Sequence, residues 1–170
     1  MRASRSTVAD MRWLEVSTEN CSVQSALDVV GAKWALLVIR ELFNGVRRFD
    51  QMQRHLGISE AVLARRLREL QEAGLVESSP YREPGSRARF EYRLTEAGLD
   101  LFPVLIALLD WGDKHRAPRE GGPWQVQHRG CGGPVTAAVV CAQHPDAPLT
   151  PRDTVTSAGP SAIEITPDPI

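Results

Sequence analysis

Two pairs of metal-ligand residue types lie near the C-terminal end of the chain. His128 and Cys131 form the first pair, Cys141 and His144 form the second, and nine residues separate the pairs. Two nitrogen and two sulfur ligands suit tetrahedral zinc, and a hairpin over Val135 to Val140 would join the pairs as in a zinc ribbon. The alternative is an appended hairpin with two ordinary thiols and two surface histidines. Both interpretations stay open.

The third cysteine, Cys21, stands just before a predicted helix. Backbone N–H groups and the helix dipole favour a thiolate there, which predicts a redox-reactive side chain. The alternative is a quiet, half-buried thiol near a dimer interface, because free cysteines are commonly buried. A cysteine hydrolase built on Cys141 with His144 or His128 would lack an oriented third residue and an oxyanion motif. We therefore expect no enzyme.

The basic side chains are clustered rather than abundant. The formal net charge is -1, yet ten of the twenty basic residues lie between Arg47 and Arg93, and all ten are arginines. A near-neutral total argues against a protein that coats nucleic acid wholesale, whereas a local run of guanidiniums suits phosphates. What these arginines can bind therefore depends on the helices and strands that position them.

Hydrophobic periodicity predicts three helices in the first third of the chain. Apolar residues at helical spacing run from Val23 to Val30, from Trp34 to Phe43 and from Phe49 to Leu56. Gly31 and Asn44-Gly45 interrupt these runs. The three helices would build the first half of one core.

A longer helix, covering roughly Ser59 to Ala73, follows a tight turn. Ser59 is a good N-cap, and Gly74 occupies the position of a C-cap glycine. Its buried face is defined by leucines at i, i+4 and i+7: Leu63, Leu67 and Leu70. The positions left outward near its start are Ser59, Glu60, Ala61, Ala64, Arg65 and Arg68.

An arginine-bearing hairpin is predicted after this helix. Val76 begins a strand, Pro84-Gly85-Ser86 supplies turn residues, and Phe90, Tyr92 and Leu94 alternate with charged residues. Helix, tight turn, helix and hairpin predict a winged helix-turn-helix. In such a domain one helix enters the major groove of duplex DNA, while the hairpin, called the wing, reaches neighbouring phosphates.

Each outward residue has a predicted role in that complex. Arg65 suits a bidentate contact to guanine, Glu60 can accept from cytosine, and Ala61 or Ala64 can touch a thymine methyl, beside Ser59. Other arginines are expected on phosphates, which position a protein without specifying sequence. They are Arg47, Arg48, Arg66, Arg68, Arg82, Arg87 and Arg89.

Two alternatives accompany this assignment. A single arginine can instead belong to a solvated helix face with i,i+4 ion pairs, such as Arg65 with Glu69 and Arg68 with Glu72. At the level of function, the alternative is a metal-dependent protein-interaction module built on a winged helix that does not bind DNA.

The last predicted helix, from about Glu96 to His115, is apolar nearly all the way round. Pro103 should kink or break it. A monomer would bury only one stripe of such a helix, so its other face implies a partner, most simply a second copy. The residues expected in a homodimer contact are Val23, Leu27, Phe102, Leu105 and Leu109.

Length and composition bound the organisation. The 170 residues allow one full domain with appendages, and no segment has the pattern of a secretory signal or a membrane helix. We expect a cytoplasmic, mainly α protein with a small β-hairpin wing. It would comprise an N-terminal arm (1–20), a DNA-binding and dimerisation domain (21–115) and a C-terminal extension (116–170) with a ribbon-like hairpin (128–144).

As an ordered set, these motifs resemble the HxlR family of winged-helix regulators, which are MarR-like. The resemblance spans about residues 21 to 113 and includes Cys21-Ser22-Val23, Gly31-Ala32-Lys33-Trp34, Arg40-Glu41-Leu42, Gly74-Leu75-Val76 and Tyr92-Arg93-Leu94-Thr95. It implies a homodimeric transcriptional repressor held together by its first and last helices.

The resemblance also implies an effector and a variant tail. Some members use a cysteine at the position of Cys21 to sense electrophiles or oxidants, so a thiol-reactive or small-molecule effector is expected. Relatives carry a similar His-Cys-Gly-Gly tail whose second pair is Cys-x2-Cys, from which His144 departs.

Overall fold

The computed structural model describes residues 12–81 and 89–165, and its elements follow the predicted order. The helices are α1 (Ser22–Val30), α2 (Lys33–Phe43), α3 (Phe49–Leu56), α4 (Glu60–Glu72), α5 (Glu96–Leu99) and α6 (Phe102–His115). The strands are β1 (Val76–Tyr81), β2 (Arg89–Leu94), β3 (Val140–Cys141) and β4 (His144–Pro148). A mainly helical chain with one two-stranded wing confirms the predicted winged helix-turn-helix.

The chain divides into two compact units. The larger spans residues 29–138, and the smaller is built from both chain ends, up to residue 28 and from residue 139 onward. The division of the chain at residues 20 and 115, made from the sequence, stays a prediction, and it did not foresee contacts between the two ends. Pairing between distant segments leaves no local pattern, which is why composition did not indicate it.

The core of the larger unit surrounds α2. Val38 and Ile39 are fully buried there, together with Met52 of α3. Helix α4 adds its predicted leucine stripe, Leu63, Leu67 and Leu70, each at most 2% exposed. Burial of this stripe fixes which face of α4 remains outside.

The turn between α3 and α4 has the geometry that its sequence predicts. Gly57 ends α3 with a left-handed φ of +63° and donates its N–H to the Gln53 carbonyl at 3.1 Å. Ser59 caps α4, its hydroxyl accepting from the Val62 N–H at 3.3 Å. The observed helix Glu60–Glu72 therefore confirms the helix predicted over Ser59 to Ala73 to within one residue at each end.

The wing is an antiparallel pair. Its register runs from Val76 opposite Leu94 to Tyr81 opposite Arg89, and a bridge between Arg48 and Glu91 attaches the segment before α3 to β2. The predicted turn Pro84-Gly85-Ser86 lies outside the described residues, and so do Arg82 and Arg87.

Pro103 breaks the predicted last helix instead of kinking it. The segment divides into α5 and α6, and Pro103 lies in the first turn of α6. A proline is tolerated there because the N–H groups of a first turn have no partner within the helix.

The C-terminal hairpin exists, but the prediction of strands between Val135 and Val140 is wrong. The strands are β3 and β4, and Cys141 pairs with His144 across a two-residue turn. In the larger unit, a bridge between Gln127 and Pro134 closes a separate tight loop. The cysteine and histidine of the second pair therefore lie at the hairpin turn, not outside its strands.

The smaller unit joins the two chain ends through backbone bonds. The Ser17 N–H donates to the Ile163 carbonyl at 2.7 Å, and the Ile165 N–H donates to the Glu15 carbonyl at 2.8 Å.

In the described part of the chain no single helix is long and apolar enough to cross a membrane, and only the bent pair of α1 and α2 has the combined length and composition.

Candidate nucleic-acid interface

The outer face of α4 is open to solvent. Five of the six residues predicted to face outward are exposed: Ser59, Glu60, Ala61, Arg65 and Arg68. The sixth, Ala64, is half-buried. A helix held by a leucine stripe, with small and charged residues on the opposite side, has the shape and chemistry that the major groove accepts.

The three arginines of α4 have different surroundings. Arg65 is 59% exposed, with its Nε 3.7 Å from Glu69 Oε1. Arg66 is only 17% exposed and donates from Nη1 to Glu69 Oε2. The guanidinium of Arg68 lies within 4.0 Å of no described carboxylate, so the predicted pair with Glu72 does not form. Arg65 and Arg68 can therefore reach outward, whereas Arg66 is directed along the helix.

The root of the wing is held by Arg48. Its guanidinium carbon lies 4.8 Å from the centre of the Tyr81 ring, and its Nε lies 3.8 Å from Glu91 Oε1. The other oxygen of Glu91 is 3.8 Å from Arg93 Nη2. Arg48 thus contacts both wing strands, and its predicted phosphate contact would have to be made from this position.

Two further predicted phosphate contacts flank the root. Arg47 and Arg89 are exposed, and the Arg47 carbonyl accepts from the Tyr92 N–H at 2.9 Å. Burial raises the pKa of the Tyr92 phenol, so this side chain is a neutral group at physiological pH. Tyr92 therefore adds no negative charge that would offset these arginines at the wing root.

Helix α6 carries an exposed apolar stripe that the sequence did not single out. Val104, Leu108 and Trp111 are exposed at i, i+4 and i+7. Of the predicted contact residues, Leu105 and Leu109 are half-buried, and Leu105 packs against the core. Because α6 is apolar on nearly every side, periodicity alone could not decide which stripe is covered.

The other residues predicted in the homodimer contact remain accessible. Phe102 is 38% exposed, and its ring centre lies 5.4 Å from that of Phe43. Val23 and Leu27 are exposed on α1. These side chains leave apolar surface that a second chain could cover.

Cys21 occupies the predicted position at the start of α1. Its thiol is half-buried, its N–H donates to the Thr18 carbonyl at 3.0 Å, and its own carbonyl accepts from the Ser25 N–H at 2.9 Å. The backbone of Cys21 is therefore part of the helix N-terminus.

The first candidate zinc-ligand pair is brought together in a glycine-rich loop. His128 Nδ1 lies 3.2 Å from Cys131 Sγ. A Cβ at Gly130 would lie 2.9 Å from the imidazole Cε1, so the loop packs closely around this pair. Among the described residues, no group of three or more His, Cys, Asp or Glu side chains is placed to hold a metal. The zinc site stays a prediction, which a zinc content near zero per chain in protein purified without added metal would contradict.

Comparisons with known proteins agree with this geometry. A family model described as HxlR-like helix-turn-helix matches residues 29–120. The uncharacterised HTH-type transcriptional regulator Rv3095 of Mycobacterium tuberculosis is 43% identical over 142 residues, which cover 84% of this chain and 88% of that protein.

Two solved structures are similar over different lengths. The transcription-factor crystal structure PA1607 has a TM-score of 0.74 and 34% identity, covering 83% of this chain and 96% of that one. The redox regulator HypR in its oxidised form has a TM-score of 0.52 and 32% identity, covering 58% of this chain and 100% of that one.

Proposed function

The chain belongs to the HxlR-like helix-turn-helix family of transcriptional regulators, and from that premise we propose that it binds duplex DNA as a homodimer and acts as a repressor. The observation that carries the proposal is the outer face of α4. This face presents exposed Ser59, Glu60, Ala61, Arg65 and Arg68 on a helix whose opposite stripe is buried.

The residues divide by the chemistry of what they would contact. Arg65 has the planar fork of donors that matches guanine, and Glu69 holds it only loosely, at 3.7 Å. Arg68, Arg47 and Arg89 would meet phosphates, together with Arg82 and Arg87, which lie between the two wing strands in the sequence. Replacing Arg87 would therefore weaken binding to all duplexes and reduce its salt dependence.

A homodimer is supported by the apolar stripe on α6. Val104, Leu108 and Trp111 expose three large side chains in a row, a patch that soluble proteins usually cover. Two-fold symmetry would then place two copies of α4 in successive major grooves. The DNA site would be a pseudo-palindrome with half-site centres about 10–10.5 bp apart.

The experiment is a competition at physiological salt. The protein is titrated into labelled DNA from upstream of its own gene, with unlabelled random duplex of equal length as competitor. We expect preference for the upstream DNA, by about 10³-fold or more for a regulator of this kind. Equal affinity for both duplexes would rule out sequence-specific regulation. Repression is tested separately, by transcription from that promoter with and without the protein.

We propose Cys21 as the point where a thiol-reactive signal acts. Support comes from its place at the start of α1 and from the likeness to a protein described as a redox regulator. An oxidant or electrophile should release the wild type from DNA and leave Cys21→Ser bound, with Cys131→Ser as the matched control. Release of Cys21→Ser equal to that of the wild type would remove Cys21 from this role.

The compartment follows from the proposed function. A regulator that binds chromosomal DNA works where the chromosome is, so we propose a cytoplasmic location.

A further inference from the structure

One carboxylate is buried at the junction of α2 and α3. Within residues 12–81 and 89–165, Glu41 is the only charged residue in the buried class, with 2% exposure. A buried carboxylate is unfavourable unless both its oxygens find donors. The contacts of this side chain should therefore be specific.

Both oxygens of Glu41 are satisfied, each by a different residue. Oε1 accepts from Arg40, at 2.7 Å from Nη2 and 3.2 Å from Nε. Oε2 lies 2.6 Å from His55 Nδ1. A carboxylate oxygen can only accept, so this bond requires a hydrogen on Nδ1. The imidazole is 59% exposed.

The two bonds have different consequences for the fold. Arg40 and Glu41 are neighbours on α2, so the hydrogen bond between them does not connect α2 to another helix. His55 lies in the last turn of α3, and its bond therefore ties α3 to α2. Apolar contacts such as those of Met52 resist separation of the helices but tolerate sliding, since hydrophobic attraction is non-directional. A short bond to a charged acceptor fixes the register as well.

The last turn of α3 leads directly into α4, the helix proposed to enter the major groove. Gly57 follows it, and Ser59 already caps α4. In addition, Gln53 Nε2 donates to the Ile58 carbonyl at 2.9 Å, which holds the turn against α3. Whatever fixes the end of α3 thus fixes the start of α4, where Glu60, Ala61 and Arg65 face outward.

We propose that Glu41 and His55 are positioning residues for DNA binding, and that their bond sets the orientation of the helix-turn-helix on α2. The inference rests on the proposed function. Neither residue needs to touch DNA, since the effect passes through α3 and the turn. The sequence offered little signal, because His55 follows no ligand spacing and Glu41 resembles an ordinary helical acid.

The test uses two uncharged replacements of His55 whose amide nitrogens lie at different distances from Cβ. In His55→Asn the amide nitrogen replaces Nδ1, at the same distance from Cβ, whereas in His55→Gln it lies farther out, near the position of Nε2. Glutamine is a better helix former than asparagine. A role in helix stability alone would therefore favour His55→Gln, and the proposed bond favours His55→Asn.

Two measurements are made on both variants of the full chain. The first is affinity for the upstream DNA, where we expect His55→Gln to lose about tenfold, as for one charge-assisted hydrogen bond, and His55→Asn to regain most of it. The second needs no DNA: amide hydrogen exchange in residues 53–59 should accelerate in His55→Gln and stay near wild type in His55→Asn.

Three results would overturn the inference: equal behaviour of His55→Gln and wild type, an Asn variant as impaired as the Gln variant, or faster exchange in His55→Gln without any loss of DNA affinity. Failure of the proposed function is a different result, in which the wild type itself shows no preference for the upstream DNA. The exchange experiment still decides in that case whether the bond orders the turn.

Discussion

Neighbouring arginines of α4 have different surroundings although their residue type is the same. The leucine spacing was sufficient to predict that Arg65 and Arg68 face outward, and both are exposed. It could not predict that Arg66 would be 17% exposed. The long aliphatic stem of an arginine can lie along apolar surface while its guanidinium bonds a neighbour. A pattern of polar and apolar residue types therefore predicts full exposure for a side chain that is in fact largely covered.

A pair of Arg-to-Lys substitutions tests the proposed division of the α4 arginines between base contacts and phosphate contacts. Lysine keeps the charge but has no fork of donors. Arg65→Lys should therefore lower the preference for specific over random DNA by about tenfold or more, since a bidentate base contact is worth about 1–3 kcal/mol. Arg68→Lys is the matched control and should leave this preference unchanged. The assignment of Arg65 fails if both variants alter the preference equally in the competition experiment.

At the scale of elements, prediction succeeded where periodicity was strong. The longer helices were found because caps, glycines and apolar spacing agree over eight or more residues. The wing was found because turn residues separate two six-residue strands. The strands β3 and β4 span only two and five residues and lie in a glycine- and proline-rich segment without alternation. Their position depends on the pairing of Cys141 with His144, which a local pattern does not contain.

The junction of α5 with the end of α4 depends on one glycine. A Cβ at Gly98 would lie 2.2 Å from the Leu75 carbonyl oxygen and 3.0 Å from Leu94 Cδ2. The same junction is held by Thr95, whose hydroxyl donates to the Gly74 carbonyl at 2.6 Å. Backbone cannot give way as a side-chain end can, so α5 must move to accommodate an added methyl group.

Gly98→Ala should therefore destabilise the protein by about 1–3 kcal/mol, the usual cost of overpacking. The midpoint of thermal unfolding should fall by several degrees. Gly159→Ala is the control, because its Cβ would meet nothing within 4 Å and its φ lies outside the left-handed region. A Gly98→Ala protein as stable as the control would show that the junction adjusts freely.

At the scale of the whole molecule, the least predictable feature was the meeting of the chain ends. Asn20 Nδ2 donates to the Ser161 carbonyl at 2.6 Å, across 141 positions of sequence. Such contacts are encoded jointly by two segments, neither of which has a distinctive composition. Exposed apolar surface can be interpreted more directly than such contacts, because an apolar stripe on a folded helix indicates where a second chain could bind.

The stripe on α6 gives the prediction that involves the whole assembly. Leu108→Asp places a charge between Val104 and Trp111, and a desolvated, unpaired carboxylate is unfavourable in any interface. The variant should fold, because Leu108 is 49% exposed, but it should sediment as a monomer under conditions in which we expect the wild type to sediment as a dimer. Its affinity for the upstream DNA should fall by about 10²-fold or more, because two half-sites would no longer be bound by one linked unit.

Val155→Asp is the matched control, since Val155 is 93% exposed on another part of the chain. It adds the same charge and should remain a dimer with unchanged DNA affinity. A dimeric Leu108→Asp protein would show that α6 does not hold the two copies together. A monomeric one that kept full affinity would show that a single α4 and wing suffice, and the two-fold site would then be wrong while DNA binding stood.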